Sequence, residues 1–139
     1  MEVSVTGKMP DVVDDSFTVA TNEDWVREYQ LKINNAAVQI ELDWKLYMQM
    51  QSKSGSLALT ASTSNQRLVV TDRAFGKFQF RNKQADAAQI DPGAYTYDIV
   101  LVAGDGIYRL VRGNIKVEQG ITNVPGQEKW SHFPLILRP

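Results

Sequence analysis

One histidine, no cysteine and a scatter of carboxylates are what this 139-residue sequence offers for chemistry. His132 would have to be the base of any hydrolytic triad, with a serine and an acid brought to it by the fold. It stands between Ser131 and Phe133 in a proline-bounded stretch, and no Gly-x-Ser-x-Gly nucleophile turn occurs. A surface or packing role is the expectation for it. The lack of cysteine removes disulfides, thiolate catalysis and cysteine-ligated zinc or iron–sulfur sites together. Asp11, Asp14 and Asp15 supply the oxygen ligands that calcium takes, but their spacing misses the EF-hand loop, so a solvated linker is expected. Gly104-Asp105-Gly106 has neither the following helix nor the Lys-Ser/Thr of a phosphate-binding loop and reads as a hairpin turn. The expectation is a protein with no catalytic residues, no metal and no cofactor.

Aromatic residues are the second chemical resource. Trp25, Trp44 and Trp130, with Tyr47, Tyr95, Tyr97 and Tyr108, could form a stacking platform for sugars or bases. Trp25 and Trp44 fall in phase with apolar neighbours, which predicts burial. Tyr47 is out of phase and is expected to face outward, making it the candidate for an exposed contact.

The elements that must position these residues read as strands. From Val38 to Gln51, Val38, Ile40, Leu42, Trp44, Leu46, Met48 and Met50 alternate with Gln39, Glu41, Asp43, Lys45, Tyr47, Gln49 and Gln51. That period of two is the pattern of a half-buried strand, with a break or change of sheet expected near Asp43. Upstream, Trp25, Tyr29, Leu31 and Ile33 share one face, with Arg27 the exception, and Asn34 to Ala37 forms a turn. Residues 56–61, 67–71 and 77–81 are shorter strand candidates, punctuated by Gly, Ser and Asn. Residues 82–90 are the one good helix former, stopped by Asp91-Pro92-Gly93. A long hairpin follows, turning at Ala103 to Gly106, with Gly113 a bulge or close-approach point.

Seven or eight short strands with one small helix predict an all-β fold: an antiparallel immunoglobulin-like β-sandwich over residues 23–122. Residues 1–22 and 123–139 are expected to be extended terminal arms. Trp130, Phe133, Leu135, Ile136 and Leu137 in the second arm are candidate partner contacts, with Val3, Val5, Val12, Val13 and Phe17 in the first. The formal net charge of −1, from 15 basic and 16 acidic residues spread along the chain, argues against a nucleic-acid-binding role. No apolar run reaches the length of a membrane helix, and the first residues lack the basic start and apolar core of a signal peptide. A soluble protein without membrane association is expected.

With its strands in order, the sequence resembles small β-sandwich virion proteins of tailed bacteriophages and prophages, from tail, neck or baseplate gene clusters. It is similar in strand order to the immunoglobulin-like N-terminal domain of upper baseplate proteins. The likeness rests on Ile40-Glu-Leu-Asp-Trp44, Leu46-Tyr-Met-Gln-Met50, Pro92-Gly-Ala-Tyr-Thr-Tyr-Asp-Ile99, Gly104-Asp-Gly106, Arg109-Leu-Val-Arg-Gly113 and Val117-Glu-Gln-Gly-Ile-Thr122. It spans roughly residues 23–122. What it implies is a non-enzymatic structural protein of the virion, made in the host bacterial cytoplasm. Such a connector or decoration module is held by contacts with other virion proteins and is homo-oligomeric in the particle. The alternative from another class is a carbohydrate-binding sandwich for a host-surface glycan, with Tyr47 and Trp130 on one surface.

Overall fold

The computed structural model describes residues 2–6, 9–10, 12–104 and 106–124, and of residues 2–10 it describes the backbone. Two six-stranded sheets pack face to face. The first part of the chain forms β1 (Glu2–Thr6), β2 (Met9–Pro10), β3 (Val13–Asp14), β4 (Phe17–Ala20), β5 (Trp25–Ile33) and β6 (Ala36–Ala37). Then come β7 (Lys45–Ser52), β8 (Leu57–Ser62), β9 (Leu68–Asp72), β10 (Lys77–Asn82), α1 (Gln84–Ala87), β11 (Gly93–Ala103) and β12 (Gly106–Glu118). The first sheet runs β2-β1-β5-β10-β9 with β6 also on β5; the second runs β3-β12-β11-β7-β8 with β4 also on β12. The expected all-β sandwich with one short helix is the fold observed. The additional strands are mostly short pieces of the N-terminal segment.

Alternation produces the core where it was legible. On β7, Leu46, Met48 and Met50 are buried while Lys45, Tyr47, Gln49 and Gln51 are exposed. On β5 and β10, Trp25, Tyr29, Leu31, Phe78 and Phe80 point inward, with Tyr29 and Phe78 stacked at 5.2 Å. Burying apolar side chains of this size stabilises by about 1.5–3 kcal/mol each, which is why the phase of each strand is firmly set. The hairpin of β11 and β12 pairs from Gly93↔Val117 to Ala103↔Gly106. Its bulge falls at Leu110, where the register shifts opposite Ile99 and Val100, and both Leu110 and Val111 are fully buried as a result.

The break expected near Asp43 is present; the burial expected for Leu42 and the start of the sandwich are corrected. The alternating run from Val38 is not one strand: it becomes β7 only from Lys45. Val38 N donates to Leu31 O (3.0 Å) and Ile40 N to Arg73 O (2.9 Å), after which Trp44 N donates to Glu41 O (3.1 Å) and closes a turn. The chain changes sheet there, as the break expected near Asp43 required, and Leu42, placed in the core phase by sequence, is 79 % exposed at the turn.

Nor does the sandwich start at residue 23. β3 and β4 lie parallel to β12, with Val13 opposite Val111 and residues Phe17–Ala20 opposite Ile115–Glu118. Val19 is a core residue, and Val13 and Phe17 pack against the core. β1 lies parallel to β5, so the N-terminal segment crosses from one sheet to the other. These are the parallel pairs in an otherwise antiparallel structure, and parallel partners leave no local hairpin signal in the sequence.

Candidate functional site

Beyond the crossing, Asp15 lies between β3 and β4 and organises a dense polar cluster. Its side chain is 3 % exposed. Its backbone N–H donates to Arg112 O (2.9 Å), which continues the pairing to β12. The carboxylate takes an ion pair from Arg27 Nη2, a longer bond from Arg27 Nε (3.3 Å) and the Tyr29 hydroxyl at Oδ2 (3.0 Å). The Tyr97 hydroxyl donates to the Asp15 carbonyl oxygen (2.5 Å) and stands 3.2 Å from Oδ2. Arg27 lies 4.6 Å above the Phe17 ring, which meets Tyr97 edge-on at 5.7 Å.

Each part has a local reason. Arg27 occupies an inward position of β5, the exception in an otherwise apolar face, because a buried carboxylate faces it there. Gly113 of β12 makes room: a Cβ at that position would stand 2.1 Å from the Asp15 carbonyl oxygen. The close approach anticipated at Gly113 is therefore to the link between β3 and β4. Asn114 N donates to Ser16 Oγ (3.0 Å) just below. A buried charge is tolerated when paired and hydrogen-bonded, and Asp15 meets both conditions.

Burial pushes the Tyr29 and Tyr97 phenols well above the ordinary tyrosine range, and the neighbouring Asp15 carboxylate adds to both shifts. Both remain protonated hydrogen-bond donors across the physiological range. What this arrangement does is hold: it fastens β3 and β4 to β5 of one sheet and β11 and β12 of the other. The solvated-linker reading of the acidic run is thus corrected at Asp15. Asp14 is exposed and pairs with Arg112 (2.9 Å), and Asp11 lies outside the described residues.

The second candidate surface is the outward face of β12, β11 and β7. Tyr47, 43 % exposed, sits opposite Val100, and Gln49 opposite Asp98. Arg109 lies across from Val100, and Arg109 Nη1 is 4.0 Å from Asp98 Oδ2. Tyr47 faces outward as its phase predicted. Of the other aromatic candidates, Trp25 is buried and donates its indole N–H to Ala20 O (2.8 Å), while Trp44 is half-buried. Tyr95 and Tyr97 are buried as well. His132 and the contacts assigned to Trp130, Phe133, Leu135, Ile136 and Leu137 lie outside the described residues, as does Asp105. No group of three or more metal-ligating side chains occurs among the described residues, and no described helix is long and apolar enough to cross a membrane.

Sequence reasoning missed the Asp15 cluster. The signal that could have found it was Arg27 in a core phase, since an inward arginine calls for a buried acid.

No protein-family model matches the sequence, and no curated protein matches it. Solved structures do share the fold. One is the N-terminal domain of phage TP901-1 ORF48, with a TM-score of 0.50 and 11 % identity over 84 % of this chain and 96 % of that one. The likeness is one of fold. CopC from Methylosinus trichosporium OB3b matches with a TM-score of 0.45 and 10 % identity over 82 % of this chain and 91 % of that one.

Proposed function

We propose that this chain is a non-enzymatic structural module of a tailed-phage virion, a connector or decoration protein of the tail, neck or baseplate held by protein–protein contacts. The observation that carries the reading is the whole-domain fold it shares with a phage protein domain. The sequence motifs of the strands point the same way. The physical character of the site is consistent with it: the buried Asp15 carboxylate clasps the N-terminal segment to both sheets, which stiffens a sandwich that can present its surface to neighbours. On this reading the working location is the particle, and the partners are other virion proteins and further copies of the chain.

The test is to purify particles of the encoding phage by density gradient and to identify their proteins by mass spectrometry. Peptides of this chain should co-purify with the particles at a fixed ratio to a known tail protein. Their presence in the lysate and absence from washed particles would sink the reading.

A second reading keeps one observation of its own. Tyr47 lies on an open sheet face beside Gln49, Asp98 and Arg109, the mix of one aromatic ring and planar polar groups that suits a sugar. Binding of a host-surface glycan there predicts perturbation of the Tyr47 ring resonances by oligosaccharide. Indifference across a broad glycan panel would remove this reading.

A further inference from the structure

The outward face of β12, β11 and β7 carries its polar side chains in rows. Strand register sets Gln51, Thr96 and Asn114 side by side across these strands. The next row is Gln49, Asp98 and Arg112, continued by Asp14 of β3. One row further along stand Tyr47, Val100 and Arg109. Neighbouring strands lie about 4.8 Å apart, and residues on the same face of one strand about 7 Å apart, so the side chains form a grid. A depression of about 680 Å³ lies over it, lined by residues of all these rows.

The amides of the two outward faces are used differently. On the other sheet, Gln79 Nε2 donates to Glu28 Oε1 (2.8 Å), Arg81 Nε to Gln79 Oε1 (2.8 Å) and Gln30 Nε2 to the Phe75 carbonyl (3.0 Å). Those groups hold one another. In the depression, the side chains of Gln49, Gln51, Thr96 and Asn114 make no hydrogen bond to a described residue, and all four residues are exposed. Each amide offers both donors and an acceptor, and the hydroxyl offers both as well.

Charge in the depression is balanced. Arg112 pairs with Asp14 (2.9 Å), and Arg109 Nη1 stands 4.0 Å from Asp98 Oδ2. An anionic ligand would meet two carboxylates along with the two guanidinium groups, whereas an uncharged one meets no net field. Hydroxyl groups, which donate and accept, are the natural complement of unpaired amides. A sugar ring in an extended chain repeats at about the strand spacing, roughly 5 Å, so successive rings fall on successive strands.

We infer that this face binds an uncharged oligosaccharide laid across the strands, with Gln51, Thr96 and Asn114 hydrogen-bonding successive rings from one side and Gln49 from the other. The inference rests on the glycan reading and deepens it by naming the ligand class and its direction on the sheet.

The full chain is applied to an array of immobilised neutral and acidic oligosaccharides, and the strongest neutral ligand is titrated in solution at about 0.1 and 1 M salt. Neutral members should bind, with less than about a twofold change between the two salt concentrations. Gln51→Ala and Asn114→Ala, at exposed positions where stability changes little, should each weaken binding about threefold to tenfold. Thr96→Lys fills the middle of the row and should abolish it. Thr71→Lys, at an exposed threonine of β9 in the other sheet, should leave it unchanged. The inference is overturned if only acidic members bind, if the variants at Gln51, Thr96 and Asn114 bind as the parent does, or if Thr71→Lys is as damaging as Thr96→Lys. A silent array removes the glycan reading together with it. Binding lost in Tyr47→Ala but kept in the row variants overturns this inference alone and leaves the glycan reading standing.

Discussion

Replacing Asp15 with asparagine tests the clasp directly. The shape is kept and the charge removed. An amide oxygen turned toward Tyr29 retains that hydrogen bond, but the amide nitrogen then faces Arg27, donor against donor. The loss is one charge-assisted pair, and because the Arg27 side chain is 36 % exposed, solvent makes up part of it. The full cost of breaking a buried pair, about 3–5 kcal/mol, therefore falls to about 2 kcal/mol for Asp15→Asn. Asp15→Ala, which also strands the Tyr29 hydroxyl, should cost about 3–4 kcal/mol. With roughly 2 cal/mol/K of unfolding entropy per residue, 2 kcal/mol lowers the midpoint of a chain this size by about 7 °C. Urea unfolding followed by tryptophan fluorescence would measure it, since Trp25 is buried beside the end of β4. Asp14→Asn is the internal control: its pair with Arg112 is half-exposed or more on both sides, and the change should stay within about 0.5 kcal/mol. Limited proteolysis of Asp15→Asn should also show faster cleavage within residues 12–22 than the parent. The reasoning is refuted if Asp15→Asn is no more destabilising than Asp14→Asn, or if combining it with Arg27→Gln gives strictly additive losses.

Three further outcomes are expected. Gly113→Ala drives a methyl group into the Asp15 carbonyl and should destabilise by about 3 kcal/mol through displacement of the link between β3 and β4; urea midpoints decide it, and a neutral result would mean the approach is not close. Stability should be level around neutral pH and fall as pH rises above about 10, because the folded-state values of Tyr29 and Tyr97 are raised by burial above the unfolded value of 10.0. Each contributes stability that is present below that pH and is lost as pH climbs toward its folded-state value, so the combined slope approaches about 2.7 kcal/mol per pH unit. Urea midpoints at several alkaline pH values check this, and Tyr97→Phe should reduce the slope. Tyr47→Ala, on an open face, should change stability by less than about 0.5 kcal/mol, so any loss of particle incorporation or glycan response in that variant reports on binding and not on folding.

By itself the sequence determined what depends on near neighbours. The alternation of β5, β7 and β10, the hairpin of β11 and β12 with its glycine turn, the helix within 82–90 and the outward phase of Tyr47 all follow from periodicity and turn chemistry acting over a few residues. The position of Arg27 recorded a buried acid without saying which. Only the tertiary structure decided that Asp15 supplies it, because Asp15 meets Tyr97 across 82 residues of sequence, and a lone aspartate in an acidic run looks the same whether solvated or enclosed. For the same reason the segment from Val12 to Ala20 read as part of an extended arm: its strands are two and four residues long and its partner, β12, lies about a hundred residues downstream, so no local pattern marks the pairing. The run from Val38 to Leu42 shows the converse. Its alternation is real, but a turn at Leu42 and Asp43 sends the chain to the other sheet, and backbone geometry there overrides the phase that the side chains suggested.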